Sequence, residues 1–428
     1  MKKQAYAVFD VGRTAKRLLL FDDHRQLLDE HSYNGSGAFD YDSEGSEDLS
    51  QLARWVRMHW ERLLAHPRFY LRGVNFSAYS AGMVHLDAAG EPLLASRAKL
   101  HSPVLVEDFY SQLDSCPPQA VDDYDTPTGL ELYLLKHTRP REFACIYTSL
   151  PLANYLSYLL TGEKFSDYSS VSCHPELWNH EHHAYHDWVD REDLRDKLAP
   201  LTNDPVAALV EDRLVGVGLH DRTAALLAYA HTYAAPFILV SIEAEDVAII
   251  PIRPPVFLGM SARAGYSHFL NLNQATPTRL RLTAEHNAQL HRIGQRFGLA
   301  LAGYQALAYP SPETEPWEPA FPYEPFASAE AFERWNLSPY LSAAEAYQTL
   351  VHGLVQRLCT EIEQTRRTEK HLLVEGWPAH NMLFMQHLAW ALPGVAVSAP
   401  TLPHAAALGA LLYLEQGEAS KKQAYLLP

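Results

Sequence analysis

The sequence lacks the features that would place it outside the ordinary globular class. Its four cysteines lie far apart in 428 residues, with neither the paired spacing of a zinc site nor the density of a disulfide framework. No apolar run approaches the roughly 20 residues of a membrane helix. The opening MKKQAYAVFDVG reaches an aspartate too early for a signal peptide. We therefore expect a cytoplasmic protein with reduced thiols and no membrane association.

Basic residues are also scarce relative to acidic ones. The chain has 35 Lys and Arg against 51 Asp and Glu, which gives a formal net charge of −16. This charge repels nucleic-acid backbones and anionic membrane surfaces, so a small-molecule substrate is expected and a nucleic-acid partner is not. A hydrophobic content of 47% can fill a large core, and the length favours two or more domains.

The apolar pattern predicts an α/β fold whose two halves begin in the same way. Residues 5–9 and 18–21 read as two strands joined by a polar glycine turn, and Phe237–Ile242 with Val247–Ile252 repeats this hairpin. Apolar residues at helical spacing follow the first hairpin over residues 49–65. We therefore expect an N-terminal domain of residues 1–235 and a C-terminal domain of residues 236–428.

The turn of the first hairpin is a candidate phosphate-binding loop. Asp10 ends the first strand, and Gly12, Thr14 and Arg17 follow it. Backbone N–H groups at a glycine turn can approach a phosphate while an aspartate orients a hydrated Mg²⁺. The alternative is a structural hairpin turn, because Asp-x-Gly turns between strands are common.

Asp221 is the second candidate. It ends the segment Gly-Leu-His-Asp between an apolar strand and a helix rich in small residues. Ligands bind near the carboxyl ends of strands in open α/β sheets, and a carboxylate there can accept the proton of a substrate hydroxyl that attacks a γ-phosphate. The alternative is an N-cap, in which Asp221 bonds only the backbone of the following helix.

A third candidate is the loop Glu-Gly-Trp-Pro-Ala-His-Asn, which runs from residue 375 to residue 381 between a strand and a helix. A turn of small residues at this place can pack against a nucleotide base. An ordinary connecting loop is the alternative interpretation.

Taken in order, four segments resemble the FGGY carbohydrate kinases, nearest the rhamnulokinase and fuculokinase branch of that family. The first resembles the family's phosphate hairpin, the second its sugar-contacting strand and turn, the third its Leu-Thr-Gly segment with the following Asp-x-Ser, and the fourth its catalytic aspartate signature. These segments are AVFDVGRTAKRLLLFD, SAYSAGMVHLDAAGEPL, NYLSYLLTGEKFSDYSSVS and VGVGLHDRTAALLA.

The resemblance implies two ribonuclease H-like domains of the actin-like ATPase type flanking a central cleft. It also implies an ATP- and Mg²⁺-dependent kinase acting on a sugar, with Asp221 as the general base and Asp10 at the magnesium. Dimerisation is common in the family, so a homodimer is left open. The implied cofactor-binding residues are Asp10, Gly12, Thr14, Arg17, Ser241, Gly376, Asn381 and Gly409, and the implied substrate-binding residues are Tyr79, Gly82, His220 and Asp221.

Four residues in three segments depart from the family pattern. Glu243 and Ala244 stand where the second phosphate hairpin has Gly-Thr, Trp377 stands in place of a second glycine, and Gly82 replaces an aspartate. A carboxylate ~4 Å from a phosphate charge costs about 4 kcal/mol at an effective dielectric of 20. Two hypotheses follow: a kinase for a ketose, deoxy-ketose or polyol, or a catalytically degraded member that binds a sugar or a partner without phosphotransfer.

Overall fold

The computed structural model divides the chain into two compact units. The first runs to His231 and resumes at Pro403, and the second lies between Thr232 and Leu402. The expected division placed the boundary near residue 235 and assigned the end of the chain to the second domain. The structure describes residues 2–13, 15–33, 48–80, 82–93, 102–113, 127–234, 236–242, 247–253, 276–277, 280–299, 307 and 335–426.

The first unit is built on a mixed sheet. Strands β1 to β3 form an antiparallel meander, and β4 lies parallel to β1 on its other side. The order is β11-β12-β4-β1-β2-β3, and β13 also pairs with β4. The strands of this unit are β1 (Lys3–Val11), β2 (Lys16–Phe21), β3 (Leu27–Ser32), β4 (Phe69–Ala78), β5 (Met83–Leu86), β6 (Thr148–Pro151), β7 (Ser166–Asp167), β8 (Trp178–Asn179), β9 (Ala184–Tyr185), β10 (Leu201–Thr202), β11 (Val206–Val210), β12 (Arg213–Gly216) and β13 (Leu219–His220).

Helices cover this sheet and extend the unit. The first helix begins after Asp48, whose Oδ1 accepts the Gln51 backbone N–H at 2.9 Å as an N-cap. The buried residues Leu52, Val56 and Trp60 then recur at helical spacing and pack on the sheet. The helices are α1 (Leu49–Leu64), α2 (Pro103–Ser111), α3 (Thr128–Thr138), α4 (Pro140–Cys145), α5 (Leu152–Thr161), α6 (Tyr168–Ser172), α7 (Asp187–Arg191) and α8 (Asp221–Thr232), with a 3₁₀ turn at Arg195–Lys197.

The second unit repeats the strand arrangement of the first. Its sheet has the order β16-β15-β14-β17-β18, in which β14 is antiparallel to β15 and parallel to β17. The elements are β14 (Phe237–Ile242), β15 (Val247–Ile252), β16 (Thr276–Pro277), α9 (Leu282–Phe297), α10 (Ala343–Thr365), β17 (His371–Gly376), a 3₁₀ turn (Trp377–His380), α11 (Met382–Ala391) and β18 (Ala396–Ser398). The common order is the arrangement that a duplicated fold predicts.

The last helix, α12 (Ala405–Leu426), packs against β1 and β4 of the first unit. Side chains alternate along a strand, so Phe9 and its like-facing neighbours pack with α1 and α5, whereas Tyr6 faces the other way and donates to Glu418 of α12 at 2.6 Å. By the same alternation, Asp10 lies on the α12 face of the sheet. A search of the described helices found none that is both long and apolar enough to span a bilayer.

Candidate active site

The first hairpin places Asp10 at the carboxyl end of β1. Asp10 pairs in register with Arg17 across the hairpin and with Ser77 on β4. The Gly12 backbone N–H donates to the Ala15 carbonyl oxygen at 2.8 Å, and this bond closes the loop of residues 12–15. Thr14 lies outside the described residues. The predicted glycine turn is therefore present, and its phosphate-binding role stays a prediction.

The surroundings of Asp10 oppose its ionisation. Burial and, secondarily, the negative charge of Asp221 together raise the pKa of the Asp10 carboxyl to about 6, although Ser77 and Arg17 act in the opposite direction. A carboxylate held in this way gains from a nearby cation. The two acidic groups thus form one electrostatically linked pair at the edge of the first sheet.

Arg17 is already engaged by neighbours in the first unit. Its Nε lies 3.3 Å from Glu30 Oε1, and one terminal nitrogen lies 3.4 Å from Nδ1 of His404. His404 Nε2 is in turn 3.6 Å from the second Glu30 oxygen. The Arg17 side chain remains 39% exposed. The guanidinium is therefore held in place beside Asp10, and an incoming phosphate would compete with Glu30 for it.

Asp221 directly follows β13, and β13 pairs with β4. Leu219 of β13 pairs with Ser77, which itself pairs with Asp10, so both carboxylates sit at the same edge of the sheet. Gly218 before this strand has φ +87°, and a Cβ there would come within 2.4 Å of the Ala153 carbonyl oxygen. This close approach requires glycine and fixes the path of the chain into the site.

The Asp221 carboxylate contacts a side chain of β13 and the backbone of α8. Its Oδ1 lies 3.6 Å from Nε2 of His220 and accepts the Arg222 backbone N–H at 2.6 Å. Asp221 is the first residue of α8, so the bond to Arg222 partly fulfils the capping interpretation. The side chain keeps 26% exposure and is accessible to a substrate.

A small cavity lies beside Asp221 in the first unit, and three predicted substrate contacts, Tyr79, Gly82 and His220, line it. Gly82 has φ +77°, which turns the chain between β4 and β5. The Arg13 guanidinium lies 5.6 Å from the centre of the Tyr79 ring and links the hairpin loop to this wall. The remaining lining residues are Ala78, Ser80, Pro151, Leu152, Ala153, Ser170 and His174.

Two lining residues of this cavity, Ser80 and His174, were not among the site residues predicted from the sequence. His174 Nε2 lies 3.4 Å from Ser80 Oγ. Burial, and secondarily the neighbouring His220, lower the pKa of His174 to about 3, so its imidazole is neutral. The available signal was position: His174 lies five residues after Ser169 of the Asp-x-Ser segment, and Ser80 directly follows Tyr79.

The Asp-x-Ser segment supports β13, the strand that precedes Asp221. The buried Asp167 carboxylate accepts the backbone N–H groups of Ser169 at 2.8 Å and Ser170 at 3.2 Å, and it also accepts the Ser169 hydroxyl. Ser169 Oγ in turn accepts the His220 backbone N–H at 3.1 Å. This chain of bonds fixes the residue that precedes Asp221, so the segment acts through positioning.

The second unit holds three of the predicted cofactor residues. Ser241 is buried on β14 and pairs in register with Glu375 of β17. Gly376 ends β17 with φ +88°, and a Cβ there would lie 1.9 Å from the Ile242 carbonyl oxygen. Glycine is therefore needed at 376 for the packing of two strand ends, whatever binds nearby. Glu243 and Ala244 lie outside the described residues.

Asn381 and Trp377 are both engaged within the second unit. Asn381 caps α11 by accepting the Phe384 backbone N–H at 3.0 Å, and its Nδ2 donates to the Tyr347 hydroxyl at 2.7 Å. The Trp377 ring stacks on His286 with centroids 4.1 Å apart, and its Nε1 donates to a threonine hydroxyl in α9. The loop of residues 375–381 is thus a well-packed part of this unit.

Gly409 lies in α12 of the first unit. A Cβ at this position would come within 1.7 Å of the Ala224 carbonyl oxygen in α8. Close contact between two helices therefore explains the glycine without any ligand. Its assignment to cofactor binding stays a prediction.

The acidic pair fits a magnesium ion held partly by other ligands. Burial and the Asp10–Asp221 repulsion both disfavour two bare carboxylates, and a divalent cation relieves this. Mg²⁺ usually binds through one or two carboxylates together with water and phosphate oxygens. The described residues contain no group of three or more His, Cys, Asp or Glu able to enclose a metal.

No family model and no curated protein sequence matches the chain. Solved structures match nearly its whole length. A carbohydrate kinase from Novosphingobium aromaticivorans is 20% identical with a TM-score of 0.69 and covers 96% of this chain and 93% of its own. A ligand-bound xylulose kinase from Lactobacillus acidophilus is 12% identical with a TM-score of 0.69, covering 97% and 90%. A glycerol kinase from Plasmodium falciparum with ADP is 10% identical with a TM-score of 0.68, covering 98% and 90%.

These likenesses confirm the predicted fold class. The chain has the α/β fold of the carbohydrate kinases that it matches, with two ribonuclease H-like domains of the actin-like ATPase type. At such low identities the likeness extends to the fold alone. Substrate and activity have to be argued from the residues.

Proposed function

We propose that this protein is an ATP-dependent carbohydrate kinase that phosphorylates a hydroxyl of a ketose, deoxy-ketose or polyol, with Asp221 as the general base. One observation carries the proposal. Asp221 and Asp10 lie at the carboxyl ends of strands that both pair with β4, and His220, which precedes Asp221, lines a small cavity together with Tyr79 and Gly82. The proposed base, the proposed Mg²⁺-binding carboxylate and three of the proposed sugar contacts therefore belong to the first unit.

In this mechanism an acceptor hydroxyl donates its hydrogen bond to the Asp221 carboxylate. Asp221 would accept the proton as the hydroxyl oxygen attacks the terminal phosphorus, while the bond from that phosphorus to the β-phosphate oxygen breaks and ADP leaves. His220, whose backbone N–H is held by Ser169, keeps the carboxylate oriented. When bound, MgATP would supply the phosphoryl group, and its metal ion would neutralise part of the phosphate charge.

The phosphate side of the site belongs to the hairpin loop. Gly12 would present backbone to the phosphates, Asp10 would hold the hydrated Mg²⁺, and Arg17 would approach a terminal oxygen once it leaves Glu30. In the second unit, Ser241, Gly376 and Asn381 are the proposed nucleotide contacts. Because the Asn381 side chain is committed to its cap, its contribution to a nucleotide would be limited to holding the loop.

The lining of the cavity favours an uncharged acceptor. The described lining residues include no Arg or Lys, and His174 is neutral, so a sugar acid would find no lining counter-charge. Hydroxyl groups of Ser80 and Ser170 and the two histidines can exchange hydrogen bonds with a polyol. Ala78, Pro151, Leu152 and Ala153 offer an apolar wall for C–H or methyl groups. The proposed acceptor is therefore a neutral ketose, deoxy-ketose or polyol.

The test is Asp221→Asn, which keeps the shape of the side chain and removes the base. Turnover with MgATP and a panel of neutral ketoses and polyols is expected to fall about 100- to 10,000-fold, with the acceptor dissociation constant nearly unchanged. Asp23→Asn, at a carboxylate that is 64% exposed, is the matched control. Full activity of the Asp221 variant would refute the assigned base.

A second candidate function is sugar binding without phosphotransfer. The observation that favours it is Trp377, whose large ring directly follows Gly376 and is packed on His286. Calorimetric titration with MgATP and a non-hydrolysable analogue separates the two functions. Micromolar to submillimolar binding supports the kinase, whereas no binding at millimolar nucleotide, with or without sugars, supports the second function.

A cytoplasmic location is part of the same proposal. Among the described residues, Cys145, Cys173 and Cys359 are free thiols, as a reducing compartment would leave them.

A further inference from the structure

The first unit contains a second and larger cavity that the proposed reaction does not use. It measures about 410 Å³, within the size range of small-molecule sites. Helices α1 and α5 form its sides, and the turn after β5 closes one end. The described lining residues are Ser50, Ala53, Arg54, Arg57, Gly90, Glu91, Pro92, Tyr155, Tyr158, Leu159 and Gly162. None of these belongs to the acceptor cavity.

The wall opposite α1 is held in a fixed position. The Tyr158 hydroxyl donates to the Gly90 carbonyl oxygen at 2.9 Å. Gly90 has φ +85°, and a Cβ there would lie 2.1 Å from the Tyr158 hydroxyl oxygen. Asp87 Oδ1 accepts two backbone N–H groups of the same turn, from Ala89 at 2.8 Å and Glu91 at 3.0 Å. The cavity is therefore preformed and does not depend on a loose surface turn.

Positive charge is concentrated on the α1 side. Arg54 and Arg57 are three residues apart on the helix, so they project from one face. Both are exposed, and neither makes an ion pair or hydrogen bond with another residue that the structure describes. This is unusual in a chain of net charge −16, which offers many carboxylates. The only acidic residue in the described lining is Glu91.

An aromatic surface lies next to the two guanidinium groups. The rings of Tyr155 and Tyr158 are 6.3 Å apart with an interplanar angle of 30°. Burial raises the pKa of Tyr155 to about 12, and the charge of Arg57 opposes that rise, which reflects their proximity. Tyr155 is only 2% exposed, so the half-buried Tyr158 supplies the ring that faces the cavity. A flat ring of this kind packs against the C–H face of a sugar or another small ring. The two guanidinium groups and the Tyr158 ring therefore line the same cavity.

We propose that this cavity binds a phosphate-bearing small metabolite of the sugar phosphate class. The forked guanidinium groups of Arg54 and Arg57 take the phosphate, because arginine matches phosphate oxygens with paired hydrogen bonds. The Tyr158 ring faces the carbon skeleton, and Glu91 accepts hydroxyl groups. Helix α5 lines both cavities, with Leu152 and Ala153 at the acceptor cavity and its C-terminal half here.

The test uses calorimetric titration of the full chain at pH 7.5 and low salt, without nucleotide. The probes are ribose 5-phosphate, inorganic phosphate and ribose. Ribose 5-phosphate is expected to bind, inorganic phosphate to bind at least tenfold more weakly, and ribose not to bind. The double variant Arg54→Ala with Arg57→Ala should weaken ribose 5-phosphate at least tenfold. Arg62→Ala, at an exposed arginine of α1 outside the cavity lining, is the matched control.

Three results would overturn the proposal. Ribose 5-phosphate does not bind, it binds equally well to the double variant, or ribose binds as tightly as its phosphate. Thermal unfolding of each variant checks that it is folded, which the exposed positions of both arginines favour. Since no phosphotransfer is measured, failure here is separate from failure of the proposed kinase activity.

Discussion

Replacing Asp10 by Asn should stabilise the protein while it impairs phosphotransfer. Burial and the charge of Asp221 hold the pKa of Asp10 at about 6, compared with 3.8 for an ordinary aspartate. This rise in pKa means that the ionised Asp10 side chain lowers the free energy of unfolding by about 3 kcal/mol at neutral pH. Asn keeps the shape and removes the charge, but it also loses attraction to Arg17. We therefore expect a gain of about 1–3 kcal/mol in the free energy of unfolding.

The pH dependence gives the sign of this effect. The folded-state pKa is raised, so the folded protein binds the Asp10 proton more tightly than the unfolded chain does. Proton binding by Asp10 stabilises the folded wild-type protein fully below about pH 4, and this stabilisation is lost as the pH rises through about 6. The advantage of Asp10→Asn should therefore be largest above pH 7 and vanish near pH 4.

The assay is urea unfolding of both proteins at pH 7.5, 6 and 4, followed by circular dichroism. Hydrogen exchange of peptides from β1 reports on the first unit separately, because a protein of two units need not unfold in one step. Asp23→Asn provides a matched removal of one exposed charge. A variant that is no more stable than wild type at pH 7.5, or equally favoured at pH 4, would refute the electrostatic account of Asp10.

Two further predictions concern glycine and asparagine positions that the sequence assigned to nucleotide contact. Gly409→Ala drives a methyl group into the Ala224 carbonyl oxygen and should lower the free energy of unfolding by about 1–3 kcal/mol or more. Urea unfolding measures this as a lower midpoint, and an unchanged midpoint would contradict the packing role of Gly409. Asn381→Ala removes the cap of α11 and the donor to Tyr347, with an expected cost of about 1–3 kcal/mol; Asn381→Asp, which retains the cap, should recover part of it, and equal losses would contradict the capping explanation.

The strands of both hairpins were predictable because local pattern determines them. Apolar runs flanking a polar turn predicted β1 with β2 and β14 with β15, and the structure has those pairs. The third strand, β3 (Leu27–Ser32), follows the turn residues that begin at Asp22 and starts with the apolar pair Leu27 and Leu28. Its exposed, charged sequence carries little apolar signal, so pairing with β2 decides its position.

The candidate site was partly predictable for a different reason. Asp10 and Asp221 end strands, and position at a strand end is visible in a sequence. The two aspartates lie at the same edge of the sheet because β1 and β13 both pair with β4. These pairings are long-range contacts, which a local sequence pattern does not reveal. Gly409 was interpreted as a ligand contact because its real neighbour, Ala224, is distant in the sequence. His174 was missed because burial beside another histidine has no local signature.

The return of α12 to the first unit has a consequence for synthesis on the ribosome. Glu418 accepts the Tyr6 hydroxyl and pairs with Arg72, and the Ala410 carbonyl accepts Asn75 Nδ2 at 2.7 Å. One face of β1 and β4 therefore stays uncovered until translation is nearly complete, although these strands are made first. The residues of the second unit between Thr232 and Leu402 emerge before that helix. The nascent first unit must wait for its final helix, and stalling within the last 25 or so codons would leave its sheet open to aggregation or chaperone capture.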